Sequence, residues 1–187
     1  MKREVSASLE MNGLFVSFLI TLAGVLIMAV ALFLPYMTAV GDMAEYIEKN
    51  PNRVEIKSLK LTASDLANIP VVSVSNIVAG VYGEDDGTIA NVIVLVFSGL
   101  LALTALFVIF KKPMAAIVFD LLAGRVFFFL NFLMKEDFIA ADKYAWGIGY
   151  YAIMIAATII FVGSVYLFME KIKTKKRKKA MQSLNVQ

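Results

Sequence analysis

The chain contains neither cysteine nor histidine. Without cysteine there is no disulfide framework, no thiol nucleophile and no thiolate metal ligand. Without histidine the commonest metal ligand and the usual acid–base group near neutral pH are missing too. Charge is also scarce, at 18% of 187 residues, against about 25% in an ordinary soluble domain. Apolar residues take its place: 60% of the chain is hydrophobic and the mean hydropathy is +0.77. These absences predict a non-enzymatic protein with no cofactor and no metal, placed in a bilayer.

Four stretches pass the length test of about 20 mostly apolar residues for a hydrocarbon core roughly 30 Å thick: 13–34, 88–110, 113–134 and 144–169. The expected fold class is an all-α membrane protein, a four-transmembrane-helix bundle with a small α(+β) extracytoplasmic cap at 35–87 between helices 1 and 2. Residues 1–12 form a short N-terminal segment and 170–187 a polybasic tail. Ala29-Val30-Ala31 has the form of a signal-peptidase site but lies inside the first apolar run. That run exceeds the 7–15 residues of a signal core, so a retained helix is expected.

Lys2, Arg3, Lys111 and Lys112 would share one side of the membrane with Lys171, Lys173, Lys175, Lys176, Arg177, Lys178 and Lys179. The positive-inside rule puts that side in the cytoplasm, with both termini, in the plasma membrane of a bacterium. Tyr36, Tyr144, Trp146, Tyr150 and Tyr151 are then expected as an aromatic belt at the outer interface. The basic run from Lys171 to Lys179 suits the head groups of an anionic inner leaflet. It lacks the interleaved aromatics of a nucleic-acid surface, and no nucleic acid is expected as a partner.

Within the outer segment, Gly41-Asp42 starts a short helix that Asn50-Pro51 stops. Val54, Glu55, Ile56 and Lys57 alternate like a strand, although Leu59 and Leu61 leave that register. Thr62 and Asp65 have the spacing of a capping box, and 71–82 reads as a further helical or extended piece. Glu84-Asp85-Asp86-Gly87 resembles a hard-cation loop in composition, but acids just before a helix are favoured by its dipole. The helix-start reading is preferred.

Asp120 and Arg125 lie near the middle of the third span. Ionisable groups at that depth are costly and mark partners, wet cavities or function. Small and polar residues recur at 3–4 spacing in every span, as close-packed helices in lipid require. The expected seams are Ser17, Thr21, Gly24, Met28 and Ala31; Asn91, Leu95, Ser98, Ala102 and Ala105; Ala116, Asp120, Ala123, Phe127 and Asn131; and Ala145, Gly149, Ala152, Ala156 and Gly163. By depth Asp120 should meet the hydroxyls of Thr21 and Thr104. At about 100° per residue Arg125 lies about 140° round the helix from Asp120, so the two do not face one neighbour. Its face, with Val118, Leu121, Phe128 and Phe132, is expected to pack on another helix, a membrane protein partner or a second copy. Alternatively Arg125 meets Ser98 and Thr158 inside a single bundle.

A short inner N-terminus, a large first outer loop and a basic tail resemble the layout of claudin-type proteins. The outer-loop Trp and paired Cys of that family are absent, the sole Trp being Trp146. The run Leu32-Phe33-Leu34-Pro35-Tyr36 and the turn at 83–87 resemble small uncharacterised four-span proteins of Gram-positive bacteria. That resemblance implies the four-span architecture and no particular activity. The expected function is an accessory or partner-binding subunit acting through its outer cap and bundle surface. The alternative is a small ion or solute transporter or channel using Asp120 and Arg125.

Overall fold

A computed structural model describes residues 2–56 and 60–184; Lys57 and Leu59 of the expected strand region lie outside the described residues. Four helices are long and apolar enough to cross a membrane, and a small strand region accompanies them. The long helices are α1 (Lys2–Ala31), α4 (Glu84–Ile109), α5 (Pro113–Met134) and α6 (Ile148–Leu184). Between α1 and α4 come β1 (Pro35–Ala39), α2 (Gly41–Lys49), β2 (Val54–Ile56), β3 (Leu61–Thr62), β4 (Asn68–Pro70) and α3 (Val74–Tyr82); β5 (Tyr144–Trp146) precedes α6.

The pairing of α1 with α6 is the most extensive among the long helices, followed by α4 with α5 and α5 with α6, whereas α1 and α4 touch sparingly. Helices α1 and α6 run antiparallel. A Cβ added to Gly24 would lie 2.9 Å from Ile160 Cγ1, and one added to Gly163 would lie 2.5 Å from Thr21 Oγ1. Small residues thus let the two backbones approach closely. All five residues of the first expected seam are buried.

Helix α4 departs from expectation. It buries Gly87, Ala90, Val94, Phe97, Leu101, Thr104 and Val108, and leaves Asn91, Leu95 and Ala102 exposed. The inward stripe is displaced by one residue because Phe97 fills the centre of the helix cluster, stacked on Phe127 at 5.4 Å. A large ring there does what a row of small residues was expected to do. In α6 the stripe is Gly149, Ile153, Ala156, Ile160 and Gly163; Ala152 is half-buried, and Ala145 is exposed because it belongs to β5.

At one end of the long helices the chain builds a three-stranded antiparallel sheet in the order β4-β1-β5. Pro35 cannot continue α1, and the chain turns into β1. Met37 pairs with Ile69 on one side and with Trp146 on the other. Residues 144–146 are therefore a strand rather than the first turn of the fourth span. Helix α2 is Gly41–Lys49, with Asn50 at its C-cap, and β2 pairs with β3. The Asp65 carboxylate accepts from the N–H and the hydroxyl of Thr62, both at 2.7 Å. Those bonds, the backbone one foremost, hold its pKa below the usual value. Gly83, at φ 114°, turns α3 back on α4, where a Cβ on Gly87 would lie 2.6 Å from Ala79 Cα. Glu84, Asp85 and Asp86 form the first turn of α4.

At the opposite end, α4 and α5 are joined through Lys111 and Lys112. Lys111 Nζ lies 5.0 Å from the ring centroid of Phe18, and Lys171 Nζ donates to the Lys111 carbonyl. Helix α6 continues without a break through the basic residues 171–179, so the tail is helical there and not a loose anchor.

Candidate functional site

Asp120 is the buried carboxyl among the described residues. It is 4% exposed, and its Oδ1 has no hydrogen-bond partner among the described residues. The expected donors are engaged elsewhere: Thr21 Oγ1 donates to Ser17 O at 2.8 Å and Thr104 Oγ1 to Leu100 O at 2.9 Å. Each hydroxyl closes on the carbonyl one turn back in its own helix, a local bond that needs no neighbour. Ser164 Oγ is the other buried side-chain atom left without a partner among the described residues.

A cavity of about 310 Å³ runs from Asp120 toward Asn131 and Tyr150, walled by Phe97, Leu101, Phe127 and Ile153. Toward the strands it is lined by polar Asn131 and Tyr150. Asn131 Oδ1 accepts from Tyr36 Oη at 2.6 Å. Burial, with Tyr150 beside it, pushes the Tyr36 phenol far above its usual pKa, so it stays a neutral donor. Tyr36 lies 5.9 Å from Phe127, 5.4 Å from Trp146 and 6.3 Å from Tyr150. The expected aromatic belt is thus mostly an internal cluster. Tyr36 and Tyr144 are buried, Trp146 and Tyr150 half-buried, and Tyr151 alone of the five is exposed. The sheet draws these rings together over the helix ends, where they pack ring on ring.

Arg125 stands outside this cavity. It is exposed, beside Phe128 at 73% exposure and Leu121, on an open groove of about 620 Å³ between α5 and α6. Among the described residues it makes no ion pair. The placement inside a single bundle is overturned in part: Thr158 lines the same groove, but Ser98 lines a second, apolar cavity between α1 and α4 that shares Met28 and Leu101 with the Asp120 cavity and no residue with the groove. Helix α5 turns Asp120 inward, and the angle between the two residues carries Arg125 out. Thr158 Oγ1 donates to Met154 O at 2.9 Å. Comparison with protein-family models, curated proteins and solved structures finds no match to this chain.

The site therefore rests on its own geometry. Asp120, Asn131 and Thr158 line the cavity at different heights, Arg125 lines the groove beside it, and Asn91 is exposed and lines neither. The basic residues 171, 173 and 175–179 are exposed along α6, with Lys173 paired to Glu170 at 2.8 Å. Sequence reasoning missed Gly124 and Ala157, whose smallness opens the crevice; an added Cβ on Gly124 meets nothing within 4 Å. It placed Tyr36 at the outer interface and missed its bond to Asn131, which lies 95 residues away.

Proposed function

We propose that the chain is a non-enzymatic, four-span integral protein of a bacterial plasma membrane that serves as an accessory or partner-binding subunit. In this reading the four long helices form a transmembrane bundle, the strand region with α2 and α3 is an extracytoplasmic cap, and both termini are cytoplasmic. The basic face of 171–179 lies against anionic head groups. The observation that carries the proposal is exposed Arg125. At 1.5 Å per residue it lies about 18 Å from the Lys112 end of α5, too far for easy snorkelling. A guanidinium stays protonated in lipid and is costly there. Its surroundings are exposed Val118, Leu121, Phe128 and Phe132, which suit a packed apolar interface around one charge. A membrane protein carrying an acceptor for Arg125, or a second copy, would cover this face.

Crosslinking tests the proposal. A photo-reactive residue at Phe128, in native membranes, should capture a discrete protein partner; capture of lipid alone would overturn it. Orientation is tested separately. Cysteine placed by Ser64→Cys should react with an impermeant thiol reagent in intact cells, and cysteine placed by Gln182→Cys should not. Reversed labelling would refute the orientation. The transporter reading has one observation in its favour, the cavity behind Asp120.

A further inference from the structure

The cavity among the four long helices and the groove between α5 and α6 are one crevice, because Asp120, Gly124, Phe128, Ala157 and Thr158 line both. We propose that this crevice binds a lipid-soluble monoamine, which reaches Asp120 sideways from the bilayer. This goes beyond the partner-binding reading; it rests on the four-span placement proposed above, and the ligand enters while the Arg125 face carries no partner, as in the chain alone.

The ligand class follows from what the crevice lacks and holds. Asp120 lines both parts of the crevice and its Oδ1 is buried without a partner among the described residues, so a donor brought in beside this carboxyl would offset the desolvation cost of an unsatisfied acceptor. A metal ion is a poor candidate. Hard cations take six to eight oxygens, and among the described residues no group of three His, Cys, Asp or Glu is placed to hold one. An anion has no donor to offer the Asp120 acceptor, and it is repelled whenever the carboxyl is ionised. An amine fits in either proton distribution: neutral amine with carboxylic acid, or ammonium with carboxylate. The two share the same proton count and net charge, so the occupied pair is neutral overall and avoids burying a lone charge.

The body of the ligand is set by the walls. About 310 Å³ is roughly twice the 150 Å³ apolar cavity that accepts benzene, enough for a ring with an alkyl arm. Phe97, Phe127 and Tyr150, stacked on one another at 5.4 and 5.9 Å, form an aromatic wall on which an aromatic body can pack. The rim sets the charge limit. Arg125 lies about 7.5 Å along α5 from Asp120, so a second positive charge on the ligand would be repelled there. The mouth opens between Gly124 and Ala157 on the face where Leu121 and Phe128 are exposed, which is the lipid side of the proposed bundle.

The test uses the full chain in phospholipid nanodiscs and a diazirine-bearing phenylalkylamine as photoprobe. Labelling should be saturable, should map to α5 and α6, and should be competed by 4-phenylbutylamine at no more than one-tenth the concentration needed of 4-phenylbutan-1-ol. Asp120→Asn should raise the half-competing amine concentration at least tenfold and leave that of the alcohol unchanged. Gly124→Leu keeps the carboxyl and puts its side chain into open space at the mouth, so it should fold normally and lose at least nine-tenths of the labelling. Equal competition by amine and alcohol would overturn the proposal. So would unchanged competition in Asp120→Asn, or labelling confined to the α1–α4 cavity. If Asp120→Asn does not yield folded protein, Gly124→Leu decides alone, and undiminished labelling in it refutes the site.

Discussion

Tyr36→Ala should lower stability by about 3–5 kcal/mol, the cost of removing a fully buried aromatic ring. The ring sits in β1, yet three of its neighbours, Phe127, Trp146 and Tyr150, belong to α5, β5 and α6. Its hydroxyl donates to Asn131 at 2.6 Å, so Tyr36→Phe should cost about 1–3 kcal/mol by leaving that acceptor without its donor. Trp146 is the only tryptophan and stacks on Tyr150 at 4.6 Å. Its fluorescence during thermal unfolding in detergent therefore reports on the cluster itself. Equal midpoints for Tyr36→Ala and the parent would show that the cluster does not support the fold.

Gly163→Leu should separate α1 from α6. Even a Cβ at this position comes within 2.5 Å of Thr21 Oγ1 and 3.1 Å of the Thr21 amide nitrogen, so the backbone of α1 has to move. Gly163→Ala should cost about 1–3 kcal/mol as overpacking, and leucine more than the seam absorbs. Cysteines introduced at positions 13 and 170, where the two helices also approach, provide the measurement. A short bifunctional reagent should join them in the parent and in Gly163→Ala but not in Gly163→Leu. Undiminished crosslinking in the leucine variant would contradict the close seam.

Much of this fold was legible from residue type alone, and the exceptions have physical causes. Four apolar runs of bilayer length announced the long helices, because length and hydropathy act on each segment by itself. Gly41 and Asn50 bounded α2, and the Thr62–Asp65 pair formed, because these are contacts within one turn. Strands β1, β4 and β5 were not visible. They have five, three and three residues, too few for a period of two to emerge, and their pairing joins segments distant in the chain. Small residues marked the inward stripe of α1 but misled on α4, since smallness does not tell which face a neighbouring ring such as Phe97 will fill. The inward turn of Asp120 and the outward turn of Arg125 followed from helical angle. The crevice beside them did not, because small residues such as Gly124 and Ala157 leave a void only where the neighbouring helices do not close over them.

The sheet order β4-β1-β5 has a mechanical consequence. Its hydrogen bonds stitch the chain leaving α1 to the chain entering α6, and β4 leads on to α3, which is folded against α4. The strand end of the molecule is thus a riveted joint. At the far end the only covalent link among the long helices is the turn at Lys111 and Lys112. Any splaying of the helices therefore pivots at the sheet and is widest near that turn, like the legs of a pair of compasses. Asp120 lies seven residues from the free end of α5 and Asn131 three from the riveted end. Whatever wedges in beside Asp120 gains leverage over the spacing of the helices, while the rings around Tyr36 stay still.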